Sequence, residues 1–212
     1  MKTFIAICFG LLLVGCSSVQ LTDYWKNPTI DTYEPYKILV VGITSNFEAR
    51  QQFESQLKKA FEQRGSQAAM SINYINEFQE SNAMTENQLD SLETRLILDE
   101  FDTILLTKII GVEDKIVYKK NYRGRDETYR RFKEEYLMYQ DIFYNPDYYE
   151  EYTIYHAETS MYCICPSKER ELLWKGYINI TDPVSVYKTT EDYSKLVMAI
   201  LEEQQLVPQT TN

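Results

Sequence analysis

A chain of 212 residues with 44% hydrophobic and 25% charged content has the composition of an ordinary globular domain, which excludes collagen-like, coiled-coil and disordered classes. A formal charge of −10 argues against nucleic acid as a partner. Seven glycines and one histidine leave little material for Gly-rich phosphate loops or multi-histidine metal centres, so neither a metal nor another cofactor is expected.

At the N-terminus, Met1-Lys2 is a minimal positive region and Phe4 to Val14 is an apolar run too short to span a bilayer as a helix. Residues 1–15 therefore read as a secretory signal. Residues 16–36 contain Pro28 and Pro35 and no sustained periodicity. They read as the N-terminus and a tether of about twenty residues, with a reach of roughly 65 Å at about 3.3 Å per residue. Tyr24-Trp25 either stays in that tether or docks on the body.

Residues 37–207 read as one α/β domain. Lys37 to Ile43 is a short β-branched run, as in a strand buried on both faces. Ser45 and Glu48 form a capping-box pattern, and Phe53, Leu57, Ala60 and Phe61 recur at helical spacing until Gly65. Ala68 to Tyr74 reads as a strand. Thr85 with Gln88 opens a second capped helix bearing Leu89, Leu92, Leu96 and Ile97, and Phe101 to Ile110 is a third strand. Glu151 to Cys165 alternates, Leu172 to Ile178 supplies a hairpin partner, and a last helix starts at Thr190. The predicted order is βαβαβ, an insertion at 113–155, then ββα, forming one mixed sheet with helices packed on it. Residues 208–212 read as a frayed tail.

The insertion holds ten of the eighteen tyrosines, and its charge is divided. Lys115 to Lys133 has eight basic residues against two acidic, whereas Glu134 to Tyr152 has six acidic and none basic. Tyr129, Phe132, Tyr136, Tyr139 and Phe143 fall at three-four spacing, which predicts a helix from Asp126 until Asn145-Pro146. Tyrosine offers rigid contact area at low entropy cost and arginine anchors interfaces. The candidate partner surface is thus Tyr118, Tyr122, Arg123, Arg125, Tyr129, Arg130, Arg131, Tyr136, Tyr139, Tyr148 and Tyr149. Three readings stay open: a protein interface, a glycan or lipid-headgroup platform, and an excursion packed on itself through its opposed charges.

Leu13-Val14-Gly15-Cys16 resembles the bacterial lipobox. The resemblance implies cleavage between Gly15 and Cys16, then a diacylglyceryl thioether and an acylated amine (palmitate or a similar chain) on Cys16. Several such chains, at roughly 0.8 kcal/mol per buried methylene, hold a protein stably on a membrane. Ser17 stands where inner-membrane lipoproteins often carry Asp, so the resemblance favours the outer membrane, and the lack of an acidic run after Cys16 favours its periplasmic side. Cleavage removes Lys2 and no acid, leaving 21 basic against 32 acidic residues, or −11. Cys163 and Cys165 then remain outside the lipid site. Two apart on one side of an extended strand, they do not readily reach disulfide distance, so two buried thiols are expected.

The lipobox, the Lys37-to-Thr44 strand, the Arg50-x-x-Phe53-Glu54-x-x-Leu57 helix ending at Gly65, and the Trp174 strand with its helix look like small outer-membrane lipoproteins of Bacteroidota type. Their core is similar to that of curli secretion-channel lipoproteins and of lipoproteins that activate penicillin-binding proteins. The resemblance runs loosely over residues 37 to 206. A pore needs a lipid-facing apolar row, whereas Lys115 to Tyr122 sets Ile116, Tyr118, Lys120 and Tyr122 on one face, which argues against a channel.

The expected function is therefore a binding or adaptor module of an envelope complex, anchored to the membrane by lipid, with an envelope protein as partner and a glycan as the second ligand class. The alternative is an envelope enzyme acting on glycan or peptide through His156 and a nearby carboxylate, for which Glu158 is a candidate. No catalytic residue is assigned, because no G-x-S-x-G, H-E-x-x-H, G-x-G-x-x-G or Walker-type pattern occurs.

Overall fold

The computed structural model describes residues 18–75, 84–118, 131–134, 136–137, 149–165 and 171–209. The signal sequence, Gly15, Cys16, and Tyr122, Arg123, Arg125, Tyr129, Arg130, Tyr139 and Tyr148 of the candidate surface lie outside the described residues, as does the end of the tail.

Six strands, Val19–Lys26 (β1), Lys37–Ile43 (β2), Gln67–Met70 (β3), Thr103–Tyr118 (β4), Tyr149–Cys163 (β5) and Glu171–Thr181 (β6), form one open sheet in the order β1-β6-β5-β4-β2-β3. The β3-β2-β4 side is parallel and the β4-β5-β6-β1 side antiparallel. Helices Phe47–Glu62 (α1), Ile72–Ile75 (α2), Glu86–Leu98 (α3) and Val186–Glu203 (α4) accompany it. Phe53, Leu57 and Phe61 of α1 and Tyr193, Val197 and Leu201 of α4 pack on one sheet face against Ile38, Val40, Leu105, Met161 and Trp174. Leu92 and Leu96 of α3 cover Leu39 and Phe101 on the other. The expected single mixed α/β domain is the observed one.

Several boundaries differ from the sequence reading. Val19–Lys26 is a strand, not part of a tether, because it completes the edge of β6 from Val19↔Ile180 to Lys26↔Trp174. The cap of α1 is Asn46 rather than Ser45, its side chain accepting from Ala49 N at 3.0 Å, while Gly65 takes the positive φ that ends the helical turn, as expected. The capping box of Thr85 and Gln88 forms as read. The last helix starts four residues before Thr190, capped by Ser185, and Thr190 instead bonds back to the Val186 carbonyl at 2.9 Å.

The strand read at Ala68 to Tyr74 stops at Met70, and the cause is a buried polar knot. Glu54 is fully buried, and its Oε1 accepts from Gly42 N at 3.0 Å, Arg50 Nε at 3.0 Å and Ser71 Oγ. Its Oε2 accepts from Ile72 N at 3.0 Å, so the carboxylate bends the chain out of the sheet and opens α2. Arg50 Nη2 donates to Ser71 Oγ at 2.8 Å. Removing one partner of a buried, hydrogen-bonded ion pair costs about 3–5 kcal/mol, because the survivor is left desolvated. We predict that Glu54→Ala lowers the unfolding free energy by about that amount in urea titrations.

Trp174 makes the second constraint. Its indole lies over Gly176, where an added Cβ would stand 2.2 Å from the ring, and its buried Nε1 has no hydrogen-bond partner. Gly176→Ala is predicted to destabilise by about 1–3 kcal/mol through overpacking. Trp174→Phe in the same chain is predicted to recover part of the loss, and a double-mutant cycle that shows strict additivity would refute the contact as its cause.

Candidate binding surface

At the carboxyl ends of parallel β2 and β4 the chain leaves a groove of about 450 Å³ between the first turns of α1 and α4. Its lining is largely apolar, with Ile43, Phe53, Ile109, Ala157, Ile180 and Val184 prominent. Gly42 leaves room there, since a Cβ would come within 3.2 Å of Phe53. Several polar groups of the lining are held internally. Thr107 and Tyr193 share Thr159 in a hydroxyl ladder with steps of 2.7 and 2.8 Å, and Arg50 is held by Glu54. Burial outweighs those hydrogen bonds and pushes the Tyr193 hydroxyl well above its ordinary value of 10.0, so it stays protonated. Both helix starts are closed by their own caps, Asn46 and Ser185. Such a groove suits an apolar group and offers no acid–base pair.

Above the groove the sheet narrows to two strands. The β2–β4 pairing ends at Ile43↔Lys108 and the β5–β6 pairing at Ile154↔Thr181, yet β4 and β5 stay paired out to Tyr118↔Tyr149. Ile154 pairs with Glu113 on its other side, so the two-stranded part is residues 114–118 with 149–153, an arm roughly 17 Å long at about 3.3 Å per residue. A bulge at Ile109/Gly111 resets the alternation of β4, and Ile109, Val112 and Ile116 share the groove face while Glu113, Lys115 and Val117 share the opposite one. The predicted insertion is thus partly regular strand, with its tyrosine-rich remainder joining Tyr118 to Tyr149 in the chain.

Among the expected surface residues, Tyr118 and Tyr149 are direct cross-strand partners. Residues 132–134 and 136–137 are helical, in keeping with the predicted helix, and Arg131 and Tyr136 are exposed. The Phe132 and Tyr136 rings lie 5.9 Å apart.

His156 sits on the sheet face opposite the groove. Its Nδ1 meets Asn179 Oδ1 at 2.7 Å, and its Nε2 is 3.7 Å from Glu113 rather than paired with Glu158. A hydrogen bond from Lys115 holds the Glu113 carboxyl below the usual range. Neither His156 nor Glu113 lines the groove. Glu158 instead lies between Lys108 at 3.2 Å and Lys175 at 3.3 Å. Its burial acts to raise the carboxyl, but the two lysine hydrogen bonds prevail and hold it below 4.5. A carboxyl lowered in the folded state stabilises the fold fully above its ordinary value and loses that contribution as pH falls through the folded one. The urea midpoint of Glu158→Gln is therefore predicted to fall below that of the parent at pH 7 and to converge on it at pH 3.

The expected free thiols are not observed, for Cys163 and Cys165 form a disulfide. The strand ends at Cys163, and the departing backbone brings the two Cα atoms to 5.3 Å, inside the range a disulfide bridges. Thiol titration of the unfolded chain without reductant is predicted to find neither cysteine free, with both appearing after reduction.

The groove residues escaped the sequence reading because they come from four separated segments. The available signal was apolar residues at turn positions, Ile43 at the end of β2 and Val184 after Pro183. Among the described residues no cluster of His, Cys, Asp and Glu suits a metal ion, and no helix is long and apolar enough to cross a membrane.

No protein-family profile and no curated protein sequence matches the chain. Among solved structures, the chain is similar to the PelC dodecamer from Paraburkholderia phytofirmans, at 10% identity over 90% of this chain and 98% of that one, with a TM-score of 0.44. It is also similar to lipoprotein GNA1162 from Neisseria meningitidis, at 12% identity over 80% of this chain and 96% of that one, with a TM-score of 0.39. Neither likeness is close enough to bear on function.

Proposed function

We propose that this chain is an outer-membrane-anchored periplasmic lipoprotein that serves as a binding or adaptor module of an envelope complex, with the tyrosine-rich segment as its contact surface. The observation that carries the reading is the arm: β4 and β5 run on as a pair after both flanking strands have stopped, and the tyrosine-rich segment joins their ends at Tyr118 and Tyr149. The body supports this role without needing chemistry, because its groove is apolar and its histidine lies on the opposite face. Cys16 carries the lipid in this reading, and a protein surface with matching aromatic and charged groups is the partner.

Tyr118 and Tyr149 face one another, so a two-residue Asn-Gly turn closes the arm in place of residues 119–148. The shortened chain is expected to retain its cooperative unfolding transition. A photo-crosslinking residue in place of Tyr136 is expected to capture one discrete envelope protein in intact cells, and a crosslinker at Val117 in the shortened chain to capture none. Capture of the same protein by the shortened chain would overturn the assignment of the surface, and an adduct with glycan would name the other ligand class.

A further inference from the structure

The incorporation of β1 into the sheet shortens the leash to almost nothing. Ser18 O already accepts from Thr181 N at 2.7 Å, and Val19 faces Ile180, a groove residue. One residue, Ser17, stands between Cys16 and that point, so a lipid on Cys16 is attached within about 7 Å of the sheet's edge at about 3.6 Å per residue. The same end of the sheet bears the groove and the base of the arm. It also bears large apolar side chains open to solvent: Val184 is 91% exposed, Phe47 64% and Ile43 57%. Ile109, Val112 and Ile116 extend the exposed apolar surface along the groove face of β4, up to the arm.

We propose that this end of the domain is a bilayer-contact surface, with Ile43, Phe47, Val184 and the Ile109-Val112-Ile116 row seated in the lipid interface beside the anchor. The proposal rests on lipidation of Cys16. A patch this apolar is costly to leave in water, and the short leash keeps it within reach of the membrane for as long as the anchor is inserted. The contact is interfacial and not a crossing, because Asp114 lies between Val112 and Ile116 on the same face. The tip of the arm at Tyr118↔Tyr149 then lies close to the membrane, within roughly 17 Å of the arm's base at about 3.3 Å per residue.

The test uses the full lipidated chain in phospholipid vesicles with acyl chains brominated near the headgroup. Trp is placed at Val184 or Phe47, or at Glu62 on the far end of α1, and each signal is read against the parent's own tryptophans. Quenching at Val184→Trp and Phe47→Trp but not at Glu62→Trp is the expected result. Absence of quenching at both Val184→Trp and Phe47→Trp, in chains that float with the vesicles and incorporate labelled palmitate, overturns the bilayer contact and leaves lipidation standing. Equal quenching at all three positions overturns it in favour of a body lying flat. Crosslinking between two copies through Val184→Cys in the same vesicles assigns the patch to a second copy and overturns it too. Failure to incorporate palmitate overturns both the contact and the anchoring on which it rests.

Discussion

One buried carboxylate organises the parallel half of this protein. Glu54 receives hydrogen bonds from β2, from its own helix and from the turn after β3, and Arg50 neutralises it from one helical turn away. Its contribution to net stability is small beside the cost of breaking it, since the alternative to a fully satisfied buried pair is a bare charge. What the knot supplies is position. It holds α1 against Gly42, stops β3 after four residues and fixes where the first turn of α1 meets the strand ends.

The gathering of features at one end of the sheet follows from strand direction. β4 runs parallel to β2, β5 reverses, and β6 reverses again, so β2, β4 and β6 all finish at the same end. The helices after β2 and β6 must begin there, and the antiparallel β1 must enter there. Two helix starts, the groove, the arm and the entry of the chain thus share one end by topology, with no added device. The opposite end carries the Cys163–Cys165 disulfide and the turn around Asp102, whose carboxylate accepts from Tyr36 N at 2.9 Å and Lys37 N at 3.2 Å.

The periodic elements were readable because burial imposes period: Phe53, Leu57 and Phe61 marked α1, and the β-branched run marked β2. β1 was not readable, because an edge strand with one exposed face needs few apolar residues, and Pro28 and Pro35 dominated the segment's local signal. The arm was half readable. Its tyrosines and charges stood out, but two-sided exposure from Gly111 outward removes the alternation that identifies a strand. The groove depended on tertiary convergence and had no local signature. The disulfide was misjudged because extended geometry was assumed to continue past Cys163.

The pairing of β1 with β6 also sets an order of assembly. Thr22 and Tyr177, joined by a 3.0 Å hydrogen bond, are 155 residues apart in sequence. Contacts of such separation close late, since the intervening chain must first be gathered. In a chain that emerges N-terminus first, β1 has no partner until β6, near the other terminus, has also emerged. The first strand delivered is therefore the last one seated, and the sheet stays open on that edge until nearly the whole polypeptide is present.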